Sequence, residues 1–106
     1  MNIQGILSIA DSLKSNQINE ELKIHWLNDV EGRVQCEILK SSPESFSGFT
    51  TMKQELSVPA PYTRMYISYI LAMIAFAEKE YDLYTDLMMR YENEFSEYAK
   101  FCLRTR

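Results

Sequence analysis

From Met65 to Ala77 the chain runs through thirteen residues, MYISYILAMIAFA, without a single charge. A helix made of this segment is apolar on nearly every side, so nearly every side has to be covered. It is too short to cross a bilayer, which needs about 20 apolar residues. In a chain of 106 residues the cover must come from the other helices of the same small domain or from copies of the chain. The segment therefore predicts a compact helical packing unit.

The totals agree with one soluble domain spanning residues 1–106. Hydrophobic residues make up 46% and charged residues 25%, the balance of an ordinary globular protein. The net charge is −4 and the basic residues are scattered, which argues against specific nucleic-acid binding, since a phosphate-backbone binder clusters Lys and Arg. Residues 1–14 lack the basic start of a signal peptide. No membrane association is expected, and the cytoplasm is the expected compartment. Cys36 and Cys102 are far apart and belong to no CxxC, so two buried free thiols are expected.

Helical spacing organises the rest. Ile3, Ile6, Leu7, Ala10 and Leu13 recur at steps of three and four and predict a short first helix over 2–14. Asn19 is a good N-cap, and Glu20 and Glu21 follow where the helix dipole favours anions. A second helix is predicted over 20–40, its stripe formed by Leu22, Trp26, Leu27, Val30, Val34 and Ile38. Pro61 suits the first position of a third helix over 62–79, with Ile67, Ile70, Leu71, Ile74, Phe76 and Ala77 as core. A fourth is predicted over 82–103, where Tyr84, Met88, Tyr91, Phe95, Tyr98 and Cys102 form a heptad-like seam. The weakest boundary is Glu78-Lys79-Glu80-Tyr81, which has neither Gly nor Pro. The expected fold is all-α, a small antiparallel bundle of one short and three long helices.

Residues 41–61 differ in character. They hold all three prolines, Pro43, Pro59 and Pro61, and many Ser and Thr, and predict an extended loop or arm between helices two and three. Loops this long in compact domains tend to be functional or disordered. Phe46, Phe49, Leu56 and Val58 give the arm apolar anchors and are the candidate interface residues. The alternating Glu55–Val58 stretch is compatible with a short strand or an extended arm.

No residue pattern builds a reaction centre. His25 is the only histidine, and the His25/Asp29 pair supplies too few ligands for a metal. Neither cysteine has a recognisable base. The acidic groups Glu20/Glu21, Asp29/Glu31 and Glu92/Glu94/Glu97 read as solvated helix faces. The tyrosine-rich seam of the fourth helix reads as core or subunit interface, because a nucleic-acid stacking platform comes with a basic groove. No GxGxxG, Walker A or GxSxG motif is present. No enzymatic activity and no cofactor or metal are expected.

Three stretches resemble small prophage-encoded proteins of Gram-positive bacteria: LKIHWLNDVEGRV (22–34), VPAPY (58–62) and EYDLY (80–84). Their order and spacing carry the resemblance over about residues 3–103. In size and helical pattern such proteins are similar to the phage head–tail connector (adaptor) family. Before Glu80 a Gly or Asn is expected, and Glu78-Lys79 stand there instead. The resemblance implies a structural assembly protein without catalytic residues. It would form a ring with copies of itself and contact portal or other head and tail proteins. It would reside in the bacterial cytoplasm during assembly and in the virion afterwards. The alternative is a small helical regulatory or adaptor protein that binds one protein partner.

Overall fold

A computed structural model of the chain describes residues 2–40 and 55–105. The described residues are helical: α1 (Ile3–Leu13), α2 (Glu20–Arg33), α3 (Arg64–Ala77) and α4 (Tyr81–Arg104). The candidate interface residues Phe46 and Phe49, and most of the predicted arm, lie outside them.

The caps are written locally. The Asn2 side chain accepts the Gly5 N–H at 2.9 Å, and Asn19 accepts the Leu22 N–H at 2.9 Å, each quenching an unpaired donor of a first turn. Beyond Arg33 the second helix continues as a π-helix over Val34–Ile38, with the Leu39 N–H donating to the Val34 carbonyl at 3.0 Å. The wider turn keeps Val34 and Ile38 both buried. It ends at Ile38, and two residues on the chain turns away at Lys40, whose φ is 60°.

The third helix starts later than the sequence predicts. Pro61 does not occupy its first position. The Ala60–Pro61 peptide is cis, and the Tyr62 N–H closes a four-residue turn onto the Pro59 carbonyl at 3.0 Å. A cis proline in third place defines a type VI turn. Glu55–Val58 forms no strand, only a single antiparallel bridge between Glu55 and Asn2.

Helices three and four are separate. Lys79 adopts a φ of 64°. Its N–H donates to the Phe76 carbonyl at 3.1 Å, and the Glu80 N–H reaches back to the Ala75 carbonyl at 2.8 Å. This pair of bonds is a Schellman motif, in which a left-handed residue turns the chain out of the helix. The left-handed residue is the one where Gly or Asn is expected.

That turn folds α4 back along α3. Phe76, Tyr69 and Tyr62 are seven residues apart in one direction. They meet Tyr84, Tyr91 and Tyr98, seven apart in the other, at ring-centroid distances of 5.1, 5.0 and 5.4 Å. A seven-residue step along α4, matched by the same step along α3 and the turn that leads into it, is the seam of two antiparallel helices packed side by side. At about 1.5 Å per residue, α3 is roughly 21 Å long and α4 roughly 36 Å, so the long helices are not matched in length.

The core gathers Ile3, Ile6 and Leu7 of α1, Trp26, Leu27 and Val30 of α2, Met65, Tyr66, Ile70 and Ile74 of α3, and Tyr91, Phe95 and Tyr98 of α4. The sheath around α3 is incomplete. Ile70 and Ile74 are fully buried, but Phe76 is 49% exposed and Ala77 is exposed. Leu22 also lies outside the core, while Lys23 takes the inward place beside it. Among the described residues no helix is long and apolar enough to cross a membrane.

Candidate functional site

Leu56 and Val58 are 7% and 0% exposed and belong to the core of the chain itself. As folded here they anchor the end of the arm and offer no surface to a partner.

The anchor is polar as well as apolar, and it centres on Glu31. This carboxylate is 2% exposed, which corrects its reading as part of a solvated face. Its Oε1 accepts the Tyr66 hydroxyl at 2.6 Å. Its Oε2 accepts the Ser57 N–H at 3.2 Å, the Gln35 amide at 3.2 Å and the Ser57 hydroxyl. The Tyr66 oxygen in turn accepts the Val58 N–H at 3.3 Å. Every neighbour donates to the carboxylate, as a buried acceptor requires. Burial first, then the charge and hydrogen bond of Glu31, push the Tyr66 hydroxyl far above the ordinary tyrosine range. The cluster ties residues 57 and 58 to α2 and α3.

A second polar clamp joins α1 to α2. The buried Lys23 ammonium meets Asp11 at 2.8 Å, and Asn16 also donates to Asp11 at 3.0 Å. Burial opposes the Asp11 charge, but these two hydrogen bonds hold its pKa below the usual carboxylate value. A third clamp joins α2 to α4. Arg33 donates to Glu92 at 2.9 Å and to Glu37 at 3.0 Å, and its guanidinium lies 3.9 Å from the centre of the Phe95 ring, a cation–π contact. Burial opposes its charge, yet hydrogen bonds to Glu92 and Tyr91 raise its pKa above the ordinary arginine value.

None of these clusters converges on a reaction centre. Among the described residues no group of three or more His, Cys, Asp or Glu side chains could hold a metal. His25 and Asp29 are both exposed. Cys36 and Cys102 are half-buried free thiols. The aromatic seam lies largely inside the molecule, between α3 and α4.

The surface features of interest are the two flanks of α4. Successive helical residues turn by about 100°, which sends Arg90 and Glu94 to one side of the buried seam and Thr85, Met88 and Glu92 to the other. On the first flank, Arg90 and Glu94 face Arg64, Ile67, Ser68 and Leu71 of α3 across a groove of about 430 Å³, which Leu13 of α1 closes at one end. The Ser68 hydroxyl donates to Glu94 at 2.5 Å. Neither Arg64 nor Arg90 has an ion-pair partner among the described residues.

On the opposite flank, Tyr84, Thr85, Met88, Met89, Glu92 and Asn93 line an open depression of about 340 Å³. Met88 and Glu92 also border a smaller one, of about 200 Å³, that reaches Asp29 and Val30 of α2 and Tyr69 of α3. Met89 is 62% exposed. Burial first, then the nearby Asp29 charge, push the Tyr69 hydroxyl up to about 12. Asp29 has no ion-pair partner among the described residues.

The spacing of Arg64, Ile67, Ser68 and Leu71 is itself a helical stripe, legible once α3 and α4 are known to be antiparallel neighbours. No protein-family model matches the chain, and neither a curated protein nor a solved structure matches it.

Proposed function

We propose that this chain is a structural assembly protein that acts by oligomerising and by binding other proteins, without catalysis. On the sequence resemblance, its place is that of a phage or prophage head–tail connector that contacts portal or tail components. The observation that supports an assembly role is the pair of partly apolar depressions that the described residues leave on two sides of α4. One carries Ile67 and Leu71 between polar side chains, the other the exposed Met89 beside Tyr84 and Met88, and two separate apolar surfaces suit a subunit with two neighbours.

Light scattering across a concentration series tests the reading. A connector subunit is expected to build a large species of fixed mass as concentration rises. A particle that stops at two chains supports the regulatory alternative. A monomer at every concentration overturns self-assembly.

A further inference from the structure

Resting on the reading of this chain as one that binds other proteins, we infer that the face of α4 bearing Met88 and Met89 receives a cationic amphipathic helix of a different protein.

The face is continuous. Phe76 of α3 meets Tyr81 and Tyr84 at ring-centroid distances of 5.8 and 5.1 Å. Tyr84 lines the open depression of about 340 Å³ together with Met88 and Met89, and Met88 leads on to Tyr69 and Asp29. Phe76, Tyr81 and Met89 are 49%, 54% and 62% exposed. From Tyr81 to Glu92 the face runs along α4 for roughly 17 Å, at about 1.5 Å per residue. That length seats about three turns of a docking helix, the span of anchors at i, i+4 and i+7. Methionine suits such a face, because an unbranched, polarizable side chain repacks around anchors of different shape.

The charges at its edges choose the sign of the partner. Asp82 stands two turns before Met89 on the same side of α4, and Asp29 borders the opposite edge. Both are exposed, and neither has an ion-pair partner among the described residues. Glu92 is paired with Arg33, which Glu37 also holds, so this group adds no free cation. At the Tyr81 end, Lys14 and Lys79 are balanced in number by Glu78 and Glu80. Beyond Met89, Asp86 and Arg90 cancel. The two aspartates remain, one on each side of an apolar strip. That composition matches Lys or Arg flanking a stripe of large apolar side chains. No described helix of a second copy is such a partner: α2 and α4 hold more carboxylates than cations, and α1 and α3 hold at most one cation each.

Two synthetic amphipathic peptides test the assignment, one of Leu and Lys at helical spacing and one with Glu in place of Lys. Their binding to the full chain is read by fluorescence anisotropy at about 0.15 M salt. The parent chain is expected to bind the Leu/Lys peptide at least about tenfold more tightly than the Leu/Glu peptide. Met89→Asp is expected to weaken that binding at least about fivefold, the loss of one apolar anchor, although the added negative charge alone would strengthen it. Asp29→Lys with Asp82→Lys is expected to reverse the preference between the peptides. Glu20→Lys with Glu97→Lys makes the same change in net charge away from the face and is expected to keep the Leu/Lys affinity within about twofold. All five residues are exposed, and circular dichroism checks that each variant folds.

Equal affinity for the two peptides, or an equal loss from the Glu20/Glu97 pair, overturns the proposal in favour of general charge attraction. Self-association of the parent chain that Met89→Asp abolishes assigns the face to a second copy and overturns it as well. Light scattering on the same samples reads self-assembly separately: a chain that assembles and binds neither peptide overturns this inference alone.

Discussion

Glu31 sits among donors alone: the Tyr66 hydroxyl, the Ser57 hydroxyl and N–H, and the Gln35 amide. Replacing one carboxylate oxygen by an amide nitrogen sets donor against donor at a side chain that is only 2% exposed. Glu31→Gln is therefore expected to cost about 2 kcal/mol of stability, the scale of losing a charge-assisted bond and stranding a buried group. Tyr66→Phe is expected to cost a similar amount, since it removes one donor to Glu31 and the acceptor of the Val58 N–H. Because both act on one network, the double variant is expected to lose less than the sum. Urea unfolding of the four chains measures this, and additive losses would mean that the two residues stabilise independently. The same hydroxyl sets an alkaline limit. The Tyr66 pKa is raised in the folded chain, so the unfolded chain loses this proton first, near pH 10. Its stabilisation is complete below about pH 10 and declines above it by about 1.4 kcal/mol per pH unit. Tyr66→Phe, already less stable, is expected to show a shallower alkaline decline.

At the scale of the element, the helix ends decide where the chain turns. Lys79 holds a left-handed conformation that a side chain with a Cβ disfavours, and it does so because the Schellman bonds of Lys79 and Glu80 fix it there. Lys79→Gly is expected to stabilise the fold by about 0.5–1 kcal/mol, seen as a melting temperature higher by a few degrees. Lys79→Ala, which keeps the Cβ, is expected to give no gain. A gain from Ala equal to that from Gly would place the effect elsewhere than in the backbone. The four helices were legible in the sequence because their period is apolar, and Asn19 was legible because a cap is a local hydrogen bond. The heptad seam of α4 appears as the ladder with Tyr62, Tyr69 and Phe76. Hydropathy misassigned the polar members of the core. Leu22 looks inward and Lys23 outward on that scale, yet the register of Leu27, Val30 and Val34 points Lys23 inward, where Asp11 pairs it. Glu31 follows Leu27 by one helical turn and was hidden for the same reason. Its partners at 57 and 66 are distant in sequence. Pro61 was misplaced because a proline that opens a helix and a proline that closes a cis turn look alike in a sequence.

At the scale of the molecule, the described residues form a body with extents of 39 × 28 × 22 Å, and carboxylates stand on both flanks of α4, Glu94 on one and Glu92 on the other. The net charge is −4, and Arg64 and Arg90, without ion-pair partners among the described residues, share their groove with the Glu94 carboxylate. Non-specific duplex binding depends on neutralising several phosphates at once. A surface with net negative charge repels the same polyanion. The chain is therefore expected not to retard duplex DNA at roughly physiological ionic strength, about 0.15 M. Retardation is expected only well below that ionic strength, and any self-association shows in scattering without DNA. Electrophoretic mobility and light scattering on the same samples separate the two effects. Tight DNA binding at that ionic strength, abolished by Arg64→Glu with Arg90→Glu, would assign the groove to phosphate and overturn this expectation.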